Sequence, residues 1–295
     1  MMPAHGCRTT TAMIAVLGAT GMTGRRLVTR LCAEGHDVTA IGRDAVRFDA
    51  LDPRAHAVTA DLERPETVKA ALAGVRRVAS CAPARFTGNL LDVLPETCER
   101  LVLMGSTRRF SALLDPAADA VRAGEAAFLA SGVAGVMLHP SMIYGAPEDR
   151  NVNRILRLVR RTPVAPLPGG GRHRLQPLFV DDAVAALVAA LFRREAPGPP
   201  IVIAGPEPIR YADMVRACAR ATGRTIVTVP LPSALMRAGI RLASSLGFEP
   251  PFDAAEIRRA GEDKVFDVSE MRTRLGVAPR SFEDGLRLKL ERGRC

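Results

Sequence analysis

The sequence predicts an α/β protein, a doubly wound parallel sheet with a smaller helix-rich C-terminal lobe. Three observations carry that prediction. Short apolar runs alternate with helical patterns through the first half of the chain, the order expected of a parallel sheet with helices on both faces. A glycine-rich turn joins the first apolar run to the first helix. The chain has 295 residues, 47% hydrophobic and 24% charged, enough to bury a large core without staples.

In order, Ala12–Leu17 is a compact β-like run, and Gly24–Glu34 behind it has helical spacing. Asp37–Ile41 and Ala57–Ala60 are the next strands, and Val75–Cys81 and Arg100–Met104 continue the series, each after a helical stretch. Gly132 ends a longer helix, Pro116–Ser131, before the strand Val133–Leu138. After Pro140 the texture changes. Thr162–Pro177 is rich in Pro and Gly and reads as an irregular loop. Asp181 and Asp182 open an apolar helix, where a carboxylate accepts the free amides of the first turn. Ile201–Ala204 and Thr225–Val229 are β-like and flank the helix Tyr211–Thr222; the tail from Pro232 is mostly helical and closes with Ser281–Leu290. Within it, Ser233–Leu246 reads as a core-facing or dimer-facing helix.

Composition excludes several function classes. The net charge of +10 comes from 41 Lys+Arg against 31 Asp+Glu. The arginines are scattered, Trp is absent and there are two Tyr, so a nucleic-acid groove is not expected. The six cysteines form no C-x-x-C pair and the five histidines have no ligand spacing, so the chain predicts reduced thiols and no metal. No Gly-x-Ser-x-Gly elbow of an esterase occurs. The first eleven residues lack the apolar run of a signal peptide, and Ala183–Phe192 is too short to span a bilayer. A soluble, cytoplasmic protein is expected, with residues 1–12 a disordered extension before an alternative start at Met13.

Gly18-Ala-Thr20-Gly21-Met22-Thr23-Gly24 carries the chemistry. Glycines at this spacing let the chain turn tightly, let backbone amides approach a pyrophosphate and let the helix pack closely on the sheet. The helix N-terminus then offers unpaired N–H groups to phosphates. An acidic residue about twenty positions on would bind the ribose hydroxyls of NAD. Here the second strand ends in Ile41-Gly42-Arg43-Asp44, and a guanidinium there suits a 2′-phosphate. NADP(H) is therefore preferred, with NAD(H) left open through Asp44. Asp61 and Leu62 are placed to flank the adenine.

These residues resemble the extended and atypical short-chain dehydrogenase/reductases, the NAD(P)-dependent epimerase/dehydratase group with its Rossmann-type sheet. The resemblance runs from Met13 to about Leu290. It is carried by the glycine loop, Asp61-Leu62, Ser80-Cys81-Ala82-Pro83, Met104-Gly105-Ser106-Thr107, His139-Pro140-Ser141-Met142-Ile143-Tyr144-Gly145, Gln176–Asp182 and Pro279–Gly285. It implies that residues 13–145 bind NAD(P), with Cys81, Ala82, Pro140 and Ser141 among the cofactor contacts. Residues 146–295 would form a substrate lobe interleaved with the same sheet and closing over the nicotinamide.

The family's Tyr-x-x-x-Lys pair is absent. The two tyrosines, Tyr144 and Tyr211, are followed four residues later by Glu148 and Val215, and the helix that should carry the pair has no phenol. Ser106 and Thr107 remain as hydroxyls for a substrate oxygen, or as residues that satisfy the start of a loop. Tyr144 reads either as the proton donor or as a packing residue whose hydroxyl caps a turn. Glu125 reads as a solvated face or a helix ion pair rather than as a catalytic acid. Arg172, His173 and Arg174 either clamp a substrate anion or solvate a loop tip. The expected activity is hydride transfer on a small carbonyl, hydroxyl or sugar-nucleotide-like substrate. The alternative is a non-catalytic NAD(P)-binding regulator or assembly partner, with a protein partner or homodimer in view.

Overall fold

The computed structural model describes residues 13–193, 198–232, 234–236, 238, 245 and 262–293. The expected extension 1–12 and most of the helix Ser233–Leu246 lie outside the described residues. The first six strands are β1 (Ile14–Leu17), β2 (Val38–Gly42), β3 (His56–Thr59), β4 (Arg77–Ser80), β5 (Arg100–Met104) and β6 (Gly135–Pro140). They pair in parallel in the order β3-β2-β1-β4-β5-β6, and the short strand Ile201–Ile203 borders β6 as the seventh. β1, β2 and β6 are buried at every residue, so they read as continuous apolar runs rather than as alternation. The chain winds from β1 out to β3, then returns to the other side of β1 with β4. That reversal opens a crevice at the carboxyl ends of β1 and β4, where ligands bind in such sheets.

Helices α1 (Met22–Ala33), α2 (Pro65–Ala71), α3 (Thr87–Leu91) and α4 (Pro116–Ser131) connect these strands. α1 buries Leu27, Val28 and Leu31 at helical spacing. Gly124 on α4 is a close-approach position, since a Cβ there would lie 2.3 Å from the Ala84 carbonyl oxygen.

The chain divides into two compact units. One comprises residues 1–106, 119–139 and 184–201, the other residues 107–118, 140–183 and 202–295. The second holds β7 (Ile143–Tyr144), α5 (Asn151–Arg161), β8 (Val164–Pro168), β9 (Arg174–Leu175) and β10 (Leu178–Phe179). α6 (Val180–Phe192) and β11, the bordering strand Ile201–Ile203, run across the division. Then come β12 (Ile209–Arg210), α7 (Tyr211–Ala221), β13 (Val227–Leu231), α8 (Ser269–Leu275) and α9 (Phe282–Arg292). The core of this unit gathers Tyr144, Val152, Leu156, Phe179, Met214 and Leu286.

Three expectations are corrected here. Thr162–Pro177 is not wholly irregular: β8 pairs in parallel with β13, from Val164↔Val227 to Leu231↔Pro168. Proline's fixed φ suits an extended ribbon, and a two-stranded sheet leaves edges that need no N–H from it. α5 was unforeseen, although Val152, Ile155, Leu156 and Val159 are buried at helical spacing. The carboxylates of Asp181 and Asp182 sit in the first turn of α6 and take up arginines. Arg292 reaches Asp181 at 2.7 Å and Arg280 reaches Asp182 at 2.8 Å.

Candidate functional site

The glycine turn lies at the sheet's reversal point. Gly18 adopts φ +69, a left-handed conformation that side chains disfavour, and the Gly21 amide donates back to the Gly18 carbonyl at 3.0 Å. A Cβ on Gly24 would stand 2.2 Å from the Gly18 carbonyl oxygen, so this third glycine lets α1 press against the turn. The residue before α1 is Gly21, which offers no side-chain cap, and the first turn carries no acidic residue. The first amides of α1 are thus left for an anion, with the positive end of the helix dipole behind them.

A cleft of about 490 Å³ opens over this turn. It is lined by Gly18, Thr20 and Gly21, by Cys81 and Ala82 just past β4, and by Asp61 and Leu62. Arg43 projects at the end of β2. The Asp44 carboxylate accepts the Val46 amide at 3.1 Å and so caps a short 3₁₀ helix, Ala45–Ala50, that brings Arg47 to the same cleft. Arg85, beyond β4, is a third guanidinium on the lining. Burial pushes the Cys81 thiol up to about 12.

Of the residues expected to contact a cofactor, Gly18, Thr20, Gly21, Arg43, Asp61, Leu62, Cys81 and Ala82 line this cleft. Met22, Thr23 and Gly24 form the start of α1, where Gly24 serves packing. Pro140 and Ser141 belong to the second unit, in which the Ser141 hydroxyl donates to the Gln176 carbonyl at 2.5 Å. Sequence reasoning missed Arg47 and Arg85. Arg47 was findable, since an aspartate two residues past a strand is a helix-start signal, and Arg47 stands three residues on, in the turns it starts.

Geometry describes the surroundings of the other candidate residues. Tyr144 is fully buried against Phe179 and Phe282, and its hydroxyl donates to the Phe282 carbonyl at 3.1 Å. Burial, with Asp182 nearby, pushes its phenol above its ordinary range. Of its two readings, the packing one fits. Thr107 is also buried, and its hydroxyl donates to the Pro140 carbonyl at 3.2 Å, holding the loop. Glu125 is neither a solvated face nor a helix ion pair: it is 7% exposed and meets His139 Nε2 at 2.7 Å. Ser106 stays partly exposed just beyond β5. Arg174 does not stand clear as a clamp, because Asp263 takes its side chain at 2.9 Å. Among the described residues no group of three or more His, Cys, Asp and Glu is arranged to hold a metal ion. None of the described helices is long and apolar enough to cross a membrane.

A parallel sheet with a glycine turn feeding a helix at its reversal point defines a dinucleotide-binding α/β protein. Residues 18–153 match the model of a family described as NAD(P)H-binding. A 3-diazoavenalumate denitrifying reductase of Streptomyces is 31% identical over 317 residues, covering 92% of this chain and 98% of that one. An uncharacterized protein of Mycobacterium tuberculosis is 29% identical over 91% of this chain, which spans only 31% of that relative's length. The structure of UDP-glucuronic acid 4-epimerase from Bacillus cereus, in complex with UDP-glucuronic acid and NAD, superposes with a TM-score of 0.73 over 95% of this chain and 98% of that one. At 17% identity that likeness concerns the fold. The chain belongs to the NAD(P)H-binding family, and it shares its fold with the NAD-bound epimerase.

Proposed function

We propose that the protein is an NADP(H)-dependent oxidoreductase acting on a small carbonyl, hydroxyl or sugar-nucleotide-like substrate. The observation that carries the cofactor choice is that Arg43 and Arg47 both line the cleft. Two guanidinium groups favour a dianionic 2′-phosphate through charge-assisted hydrogen bonds. The uncapped start of α1 and the close glycine packing suit a pyrophosphate above the turn.

A bound nicotinamide supplies or accepts the hydride. The chain's part is to hold the cofactor and the substrate oxygen. Ser106, partly exposed at the carboxyl end of the sheet, is the hydroxyl best placed to donate a hydrogen bond to that oxygen. Thr107 supports the loop from behind through its bond to Pro140. Ser106→Ala is expected to lower turnover and leave cofactor affinity intact. The Streptomyces relative, named a reductase, supports the reductive direction.

A second reading, a non-catalytic NAD(P)-binding regulator or assembly partner, draws on the missing Tyr-x-x-x-Lys pair and the occupied Tyr144 hydroxyl. Calorimetric titration of wild type and Arg43→Ala with NADPH, NADP⁺, NADH and NAD⁺ tests the cofactor reading. NADPH should bind best, and the substitution should weaken it by about 10- to 100-fold while leaving NADH nearly unchanged. Equal loss for both nucleotides would rule out a 2′-phosphate contact at Arg43. NADPH turnover with a panel of aldehydes and ketones then separates the two functional readings.

A further inference from the structure

We infer that His139 and Glu125 form a positioning pair that fixes Ser106 by receiving its backbone amide on a ring nitrogen. This rests on the reading of Ser106 as the residue that meets the substrate oxygen. His139 closes β6 and is 1% exposed, while Glu125 on α4 is 7% exposed. An imidazole and a carboxyl withdrawn from water are costly unless both are partnered. Their Nε2 and Oε2 atoms lie 2.7 Å apart, and His139 Nδ1 lies 3.1 Å from the Ser106 amide nitrogen.

The two bonds determine where the ring proton sits. A backbone N–H can only donate, so Nδ1 must present its lone pair and the proton resides on Nε2, facing Glu125. The carboxylate thereby sets the tautomer that the Ser106 amide needs. The backbone prepares the site for this. Gly105 makes the last sheet bond of its strand, its amide donating to the Leu138 carbonyl at 2.8 Å. At Ser106 the ring takes the sheet's place as acceptor. Gly105 is the residue that lets the ring in: a Cβ there would lie 2.3 Å from Nδ1 and 2.6 Å from Cε1. Ends of β5 and β6 and one turn of α4 thus converge on the backbone of a single, partly exposed serine. Fixing that backbone fixes the direction of the Ser106 Cα–Cβ bond, and hence the hydroxyl's aim. His139 and Glu125 touch neither substrate nor cofactor in this scheme; they act through Ser106.

The test is nuclear magnetic resonance on the full chain labelled with ¹⁵N-histidine and ¹⁵N-serine. The Ser106 amide is assigned by its loss in Ser106→Ala. His139 should show a bare Nδ1 and a protonated Nε2. The Ser106 amide signal should move in His139→Leu and hold its place in His139→Asn, whose side-chain oxygen can stand where Nδ1 stood. Gly105→Ala, which displaces the ring without altering charge, should move it as His139→Leu does. With NADPH and an aromatic-aldehyde probe, kcat should fall on the order of 100-fold in His139→Leu, recover substantially in His139→Asn, and KM should change little. A proton on Nδ1 in the wild type, or a Ser106 amide indifferent to His139→Leu, would overturn the inference, and neither readout needs a substrate. Should NADPH fail to bind wild type in calorimetry, the proposed function falls while these spectra still decide the pair.

Discussion

Gly24→Ala is the substitution whose cost can be worked out most directly. The added Cβ would sit 2.2 Å from the Gly18 carbonyl oxygen, 2.9 Å from the Gly18 carbonyl carbon and 3.0 Å from the Ala19 Cα. Comfortable contacts of this kind begin near ~3.5 Å, so the start of α1 and the turn must part by about 1 Å. All three neighbours are backbone atoms, so no rotamer change can relieve the overlap. Overpacking costs about 1–3 kcal/mol, and the rigid surroundings place this case toward ~3 kcal/mol. For a chain of 295 residues that lowers the melting temperature by about 5 °C. The same displacement shifts the α1 amides away from the phosphate position. Losing one charge-assisted hydrogen bond of about 1.5–3 kcal/mol weakens NADPH by roughly 10- to 100-fold. Gly88→Ala is the control, because its Cβ would meet nothing within 4 Å and it lies inside α3. Scanning calorimetry and isothermal titration on both variants are the assays. If Gly24→Ala melted within a degree of wild type and bound NADPH with wild-type affinity, the close packing of turn on helix would not be what the glycine is for.

Two other outcomes follow from the geometry. Tyr144→Phe removes one hydroxyl that donates to the Phe282 carbonyl, so thermal unfolding should show a loss of about 1 kcal/mol. Turnover of any aldehyde probe should be unchanged, and a tenfold fall would return Tyr144 to the chemistry. His173, stacked on Tyr211 with ring centroids 5.1 Å apart, has its pKa lowered to about 4, chiefly by burial and then by the Lys264 cation, with Asp263 opposing. The folded chain therefore resists a proton that the unfolded chain accepts near the ordinary value of 6.5. Stability is full above that value and declines as pH falls toward about 4. In His173→Gln the decline of melting temperature across that window should be shallower; an identical pH profile would show that the imidazole is not held neutral.

Much of the nucleotide half was legible because its signals are local. Spacing of glycines, an apolar run before them and a helical pattern after them can be read residue by residue, and the structure joins Leu17, Gly18 and α1 as that pattern requires. Arg43 was legible for the same reason, standing at the end of a strand whose position the periodicity fixes. The second unit was harder. β8 depends on β13, more than sixty residues away, and its prolines read locally as a loop. α5 had the right apolar spacing but no strong cap, its N-cap residue being Arg150.

By itself, the sequence determined the strands and helices of the nucleotide half, the glycine turn, the arginine after the second strand and the absence of a Tyr-x-x-x-Lys pair. These depend on neighbours a few residues apart, where sterics and periodicity act directly. Tertiary structure alone decided what each polar side chain faces. Tyr144, a donor or a packing group on paper, is enclosed by Phe179 and Phe282; Glu125, read as a solvated face or a helix ion pair rather than a catalytic acid, meets a histidine fourteen residues on. A side chain's partner across the sheet is set by packing of distant segments, and no local pattern encodes it. Burial then converts that placement into chemistry, because away from water an acid, a phenol or an imidazole has only the neighbours the fold supplies.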